Sequence, residues 1–169
     1  MDPNHYIGEV KINENIPPIR INETTRVTLA CLFEGLRSYG GQADVLKRKF
    51  FYHFEAVPEG NGTRLSDEKV RLLDGILGAV TEVVELSEEV TQHVLDDKPI
   101  DRTHFIEEVG DVLWYLAVLL DSQGASFGQA MDANIAKLRK RYPEKFDTEK
   151  ALNRNLKEER KALEGKSNG

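Results

Sequence analysis

The sequence predicts an all-α helical bundle, on three observations. From Thr24 onward the apolar residues recur at helical spacing. Helix starts and stops bracket those stretches with the residues each end requires. The alternating pieces, Val10/Ile12 and Ile19/Ile21, are too short for more than a small strand or an arm laid on a partner.

Each element follows in order. Residues 1–23 are polar and proline-bearing, with Pro17-Pro18 barring a continuous helix, so an extended N-terminal arm is expected there. Helices are expected at about 25–37, 42–53, 67–95, 102–122, 127–141 and 149–163. Gly40-Gly41 divides the first two, and Pro58-Glu59-Gly60-Asn61-Gly62 has the composition of a loop. Ser66 caps the third helix, and Asp67 and Glu68 place negative charge at the positive end of its dipole. Pro99 follows its end. Gly124 suits the end of the fourth helix, Ser126-x-x-Gln129 reads as a capping box for the fifth, and Pro143 closes it. Residues 24–165 are thus expected to form one all-α domain, with a tail at 166–169.

Composition narrows the function. The 169 residues, 40% apolar and 31% charged, correspond to about one globular domain of 150 residues. The longest apolar run, Val112–Leu120, falls far short of the roughly 20 residues that span a bilayer. The first residues lack the basic start and apolar stretch of a secretory signal, so a cytoplasmic protein is expected. A single cysteine, Cys31, excludes an internal disulfide framework and a multi-cysteine zinc site. The net charge of −6, from 29 acidic and 23 basic residues, argues against a large nucleic-acid footprint.

The chemistry concentrates in acids. Glu82, Glu85 and Glu89 fall within about 60° of arc on the third helix, opposite an apolar stripe of Leu73, Ile76, Val80, Val83, Val84, Val90 and Val94. Gly75 and Gly78 precede the acids on nearly the same face, where a ligand or another element can approach. Alone, such a face also fits a solvated surface. The fourth helix weighs against that reading, because from Val112 to Leu120 it is apolar all round and is expected to be surrounded by protein. Glu108 and Asp111 share a side with Tyr115, Val118 and Leu119, so this carboxylate pair is expected to point inward. Buried carboxylates need partners, and the bases nearby are Arg102 and His104. Two carboxylate pairs at i, i+3 on neighbouring antiparallel helices form a cage of hard oxygens, which suits Mg²⁺ or Mn²⁺ completed by substrate phosphates. On the fifth helix, Asn134, Lys137 and Arg141 share one face. They read either as phosphate ligands or as ordinary cations at a helix C-terminus.

Thr81-Glu82-Val83-Val84-Glu85, Glu107-Glu108-Val109-Gly110-Asp111 and the downstream Asn134-Ile135-Ala136-Lys137-Leu138-Arg139-Lys140-Arg141-Tyr142-Pro143 together resemble the MazG-type all-α nucleoside triphosphate pyrophosphohydrolases. The resemblance covers about 68–147 and extends weakly through Asn153-Arg154 and Glu158-Glu159-Arg160. It implies a four-helix core and hydrolysis of a nucleoside triphosphate to monophosphate and pyrophosphate with Mg²⁺ (or Mn²⁺). It assigns the metal to Glu82, Glu85, Glu108 and Asp111, and puts Asn134, Lys137 and Arg141 near the triphosphate or sugar. It also implies a homodimer or homotetramer with the site near a subunit interface. One position departs from the pattern E-E-x-x-E: Thr81 stands at the first acid, which in some members helps to position the attacking water. Glu88, Glu89 or a metal-bound water are the alternatives for that role.

Other residues carry less. Trp114 and Tyr115 read as core or as base-recognition groups. Phe50, Phe51, Tyr52 and His53 read as a base pocket or as packing. Lys47, Arg48 and Lys49 are expected on a solvated face, Cys31 in packing, and none of the four histidines as a ligand. A ferritin-like di-iron site needs Glu-x-x-His on two helices, and only Asp101-x-x-His104 approximates it. A non-catalytic nucleotide-binding or helical interaction module is the remaining alternative.

Overall fold

A computed structural model describes residues 1–14, 19–52 and 63–164. Among these, seven α-helices and one π-helical turn make up the regular structure, and there is no strand. The expected loop at Pro58–Gly62, the Pro17-Pro18 break, His53 and the tail at 166–169 lie outside the described residues.

The extended N-terminal arm is corrected. Pro3–Asn13 is helix α1, because Asp2 accepts hydrogen bonds from the backbone N–H groups of Asn4 and His5 and Pro3 occupies the first turn, where its missing N–H costs nothing. Helix α2, Glu23–Lys47, starts at the Asn22 cap and continues into a π-helical turn at Arg48–Tyr52. The break expected at Gly40-Gly41 is absent. Gly40 instead serves close packing: a methyl there would lie 2.6 Å from Val84 Cγ2, so only glycine lets α2 approach the following helix at this level.

Helix α3, Asp67–Asp96, α4, Arg102–Ser122, and α5, Phe127–Arg141, match expectation to within a residue. Ser66 caps α3 and the capping box at Ser126/Gln129 is formed. The single last helix expected at 149–163 is two: α6, Thr148–Leu152, and α7, Leu156–Glu164. Asn155 Oδ1 accepts from the Glu158 N–H and so restarts the chain as a new helix.

The chain gathers into two compact units. Arg20–Gln123 holds α2, α3 and α4; Met1–Ile19 with Gly124–Gly169 holds α1, α5, α6 and α7. In the first of these, α3 packs on α4 through Gly75, against Leu119, and Gly78, against the Tyr115 ring. Val84 and Thr81, on another face of α3, are buried toward α2. The expected apolar stripe is therefore only partly core, since Ile76, Val80, Val83 and Val94 are exposed. Helix α4 departs from expectation in the same way: Trp114 is 69% exposed, and Ile106, Leu113 and Leu116 are also open. Cys31 is exposed as well. In the other unit Ile135 and Tyr142 are the buried apolar residues.

Candidate metal centre

The face of α3 that meets α4 explains where the acids go. Gly75 and Gly78 bring the two helices together; one and two turns later on the same face stand Glu82 and Glu85. On antiparallel α4 the matching ladder runs Leu119, Tyr115, Asp111, Glu108. The carboxylates thus continue the very seam that the glycines close. Glu82, Glu108 and Asp111 each bring an oxygen within 4.8 Å of the others, which is the spacing for one shared cation. Glu85 is not part of that three-residue group, but its charge acts on Glu108.

The electrostatics are those of a crowded anionic site. Burial, then the Glu85 charge, pushes the Glu108 carboxyl above its ordinary range, with Glu82 and Asp111 adding to the effect. Desolvation, then Glu82 and Glu88, raises Glu85 in the same direction. Glu108 is only 5% exposed. One of its oxygens, Oε1, lies 3.0 Å from His104 Nδ1; the other, Oε2, is buried with no hydrogen-bond partner among the described residues. A nine-tenths-buried carboxylate oxygen without a donor is costly, and a cation held by Glu82, Glu108 and Asp111 would satisfy it. The residues present therefore fit a hard divalent ion.

Of the two bases expected near the buried pair, His104 is the one that meets Glu108, one helical turn on. Lys47, assigned from sequence to a solvated face, is buried, with Nζ 3.4 Å from Glu82 Oε1 and 3.5 Å from Thr81 Oγ1. No local pattern signals it, because α2 delivers it from 35 residues away. Thr81 itself donates to the Gly78 carbonyl and lies 3.0 Å from Glu82 Oε1. Tyr115 is half-buried, its ring against Gly78 and under the Lys47 ammonium at 4.6 Å.

The residues expected near phosphate lie on α5, in the other unit. Asn134 Nδ2 donates to the Tyr6 hydroxyl of α1 at 2.7 Å. Lys137 is half-buried and makes no ion pair among the described residues. Arg141 is committed: Nε and Nη2 donate to the two oxygens of Glu159 at 2.8 and 2.6 Å, a bidentate pair that Arg154 reinforces at 2.8 Å.

Residues 74–146, which span α5 and all four acids, match the family model of the MazG nucleotide pyrophosphohydrolase domain. Over this stretch the chain is MazG-like. The matched segment begins just before Gly75, and the glycine-closed acidic seam, Gly75 to Leu119, lies wholly inside it. No curated protein and no solved structure matches the chain. The MazG domain supports a nucleotide pyrophosphohydrolase in general terms, and the acidic cluster accords with the metal dependence of that family. Among the described residues no helix is long and apolar enough to cross a membrane.

Proposed function

We propose that this MazG-like chain hydrolyses ribo- or deoxyribonucleoside triphosphates to the monophosphate and pyrophosphate, with Mg²⁺ (or Mn²⁺) held by Glu82, Glu108 and Asp111 and supported by Glu85. One observation carries the reading: Glu108, with an oxygen that is buried and has no hydrogen-bond partner among the described residues, converges with two further carboxylates inside the MazG-matching segment. The ion would supply neutralisation of phosphate charge and acidification of the attacking water. The chain's own part is to hold four carboxylates in one place through the close α3–α4 seam, and to orient Glu108 through His104. Lys137 is the α5 cation with its charge uncommitted, and is proposed for phosphate; Asn134 is proposed for sugar or phosphate. Arg141, held bidentately by Glu159, is proposed to act on the phosphates only indirectly, by ordering the end of α5. Thr81 leaves the water without the acid that the family pattern has at this position.

The chain is also proposed to work as a homo-oligomer in the cytoplasm. Ile76, Val80, Val83 and Val94 on α3, and Ile106, Leu113 and Leu116 on α4, stand at heptad spacing and are exposed, which leaves two adjacent apolar seams for a second copy.

The test is incubation with Mg²⁺ and a panel of nucleoside triphosphates, with products separated by chromatography. Monophosphate plus pyrophosphate, lost in Glu85→Gln and Glu108→Gln, is the expected result and ranks the bases at once. Nucleotide- and Mg²⁺-dependent stabilisation without turnover would establish a binding protein instead and direct attention to Thr81. Neither turnover nor stabilisation would overturn the reading.

A further inference from the structure

Two cations have claims on one carboxylate. Lys47 reaches the acidic centre from the last turn of α2 with a side chain only 7% exposed, and its Nζ bridges Glu82 Oε1, Thr81 Oγ1 and the face of Tyr115. A carboxylate oxygen at 3.4 Å and a tyrosine ring face at 4.6 Å make this a seat for the charged ammonium. Glu82 is at the same time one of the three carboxylates whose oxygens converge to the spacing of a single cation. A divalent ion ligated there meets a positive charge already seated on its ligand, in surroundings where water screens poorly. Thr81 completes the arrangement. It offers Lys47 a neutral hydroxyl, so Glu82 is the carboxylate that holds the ammonium.

We propose that Lys47 is a resident counter-cation of the acidic centre, which competes with the divalent ion for Glu82 and keeps metal binding weak in the absence of nucleotide. The proposal rests on the metal-centre reading above and adds a residue of α2 to it.

The test uses the full chain without nucleotide and reads Mn²⁺ binding directly by electron paramagnetic resonance of the free ion. Lys47→Met removes the charge and keeps the apolar stem; it is expected to bind Mn²⁺ about tenfold more tightly than wild type. Lys47→Arg keeps the charge and is expected to bind like wild type. A lysine that merely packs α2 on α3 would leave the affinity of the Met variant unchanged or lower, and either result overturns the proposal. Absence of Mn²⁺ binding in wild type and both variants would overturn the metal centre itself, a different failure. Binding by Lys47→Met alone would support the proposal in its strongest form. Circular dichroism checks folding; if the Met variant does not fold, Lys47→Gln, which keeps a donor toward Thr81 and Glu82, carries the same expectation.

Discussion

Glu108 and Glu159 are buried to nearly the same degree, at 5% and 4% exposed, and yet the two sites are opposites. Glu159 sits between Arg141 and Arg154, which hold its carboxyl down at about 2; both of its oxygens accept charge-assisted hydrogen bonds. Glu108 has three other acids and a single histidine for company, rises above the ordinary carboxylate range and has one oxygen without a partner among the described residues. Burial therefore does not set the state of a carboxylate; the company it is buried with does. The first arrangement is complete within the chain and ties α7 to the end of α5. The second lacks a partner for one oxygen among the described residues, which is the form expected of a cation site.

The largest effect is expected of Glu108→Gln. It should lower kcat by about a hundredfold or more, since even indirect partners of a metal are commonly worth about 10–100-fold, while leaving the metal-free protein as stable as wild type or more so. Glu159→Gln is expected to do the reverse, lowering the melting temperature as two guanidinium groups lose their anion, with the smaller effect on kcat. Steady-state kinetics beside calorimetry separates the two. Equal losses of stability would erase the distinction between the sites.

Metal addition sharpens it next. Mn²⁺ at a hundred times its dissociation constant should stabilise the wild type by about 2.7 kcal/mol against urea, and Glu108→Gln by much less. A wild-type midpoint unmoved by millimolar Mg²⁺ or Mn²⁺ would count heavily against the cage.

Smaller again is Gly78→Ala. The added methyl collides with the Tyr115 ring, so the α3–α4 seam must open, at a cost of about 1–3 kcal/mol in urea denaturation. Mn²⁺ affinity should fall with it, because the carboxylates lie on the same seam.

The two sites should also separate along the pH axis in a chelator. Raised carboxyls such as Glu85 and Glu108 hold their protons more tightly in the folded chain. Their contribution is present at acid pH and is lost as pH rises through their elevated range. Glu159 has the opposite sign: its contribution is present above the ordinary carboxylate range and is lost as pH falls toward 2. Urea midpoints measured in the chelator from pH 3 to 8 should therefore rise with pH less steeply in Glu159→Gln than in wild type, and fall less toward neutral pH in Glu108→Gln.

Sequence legibility followed the range of the interactions. Helices α3, α4 and α5 could be read because their caps and stops are local: Ser66 and Ser126 bond to N–H groups three residues on, and Pro99 and Pro143 cannot continue a ladder. The i, i+3 spacing of the acids is local in the same way, but the inward orientation expected of the second pair holds only for Glu108: Asp111 is exposed, because one face of a helix still runs from its buried centre to its rim. Gly40-Gly41 misled because glycine has two uses, and here the close approach of Val84 outweighs its low helix propensity. The polar, proline-bearing start also misled, since Pro3 falls in the first turn of α1, where a proline is accepted.

The all-α class, the central helices and the two i, i+3 carboxylate pairs on two of them were written in the sequence alone. Tertiary structure alone decided which face of α3 meets α4, that Lys47 is buried on Glu82, that Arg141 is spent on Glu159, and that much of the apolar surface of α3 and α4 stays open. The division has a physical cause. Periodicity and caps are set by neighbours within a helical turn or two, whereas the partner of a buried charge arrives from wherever the chain next passes.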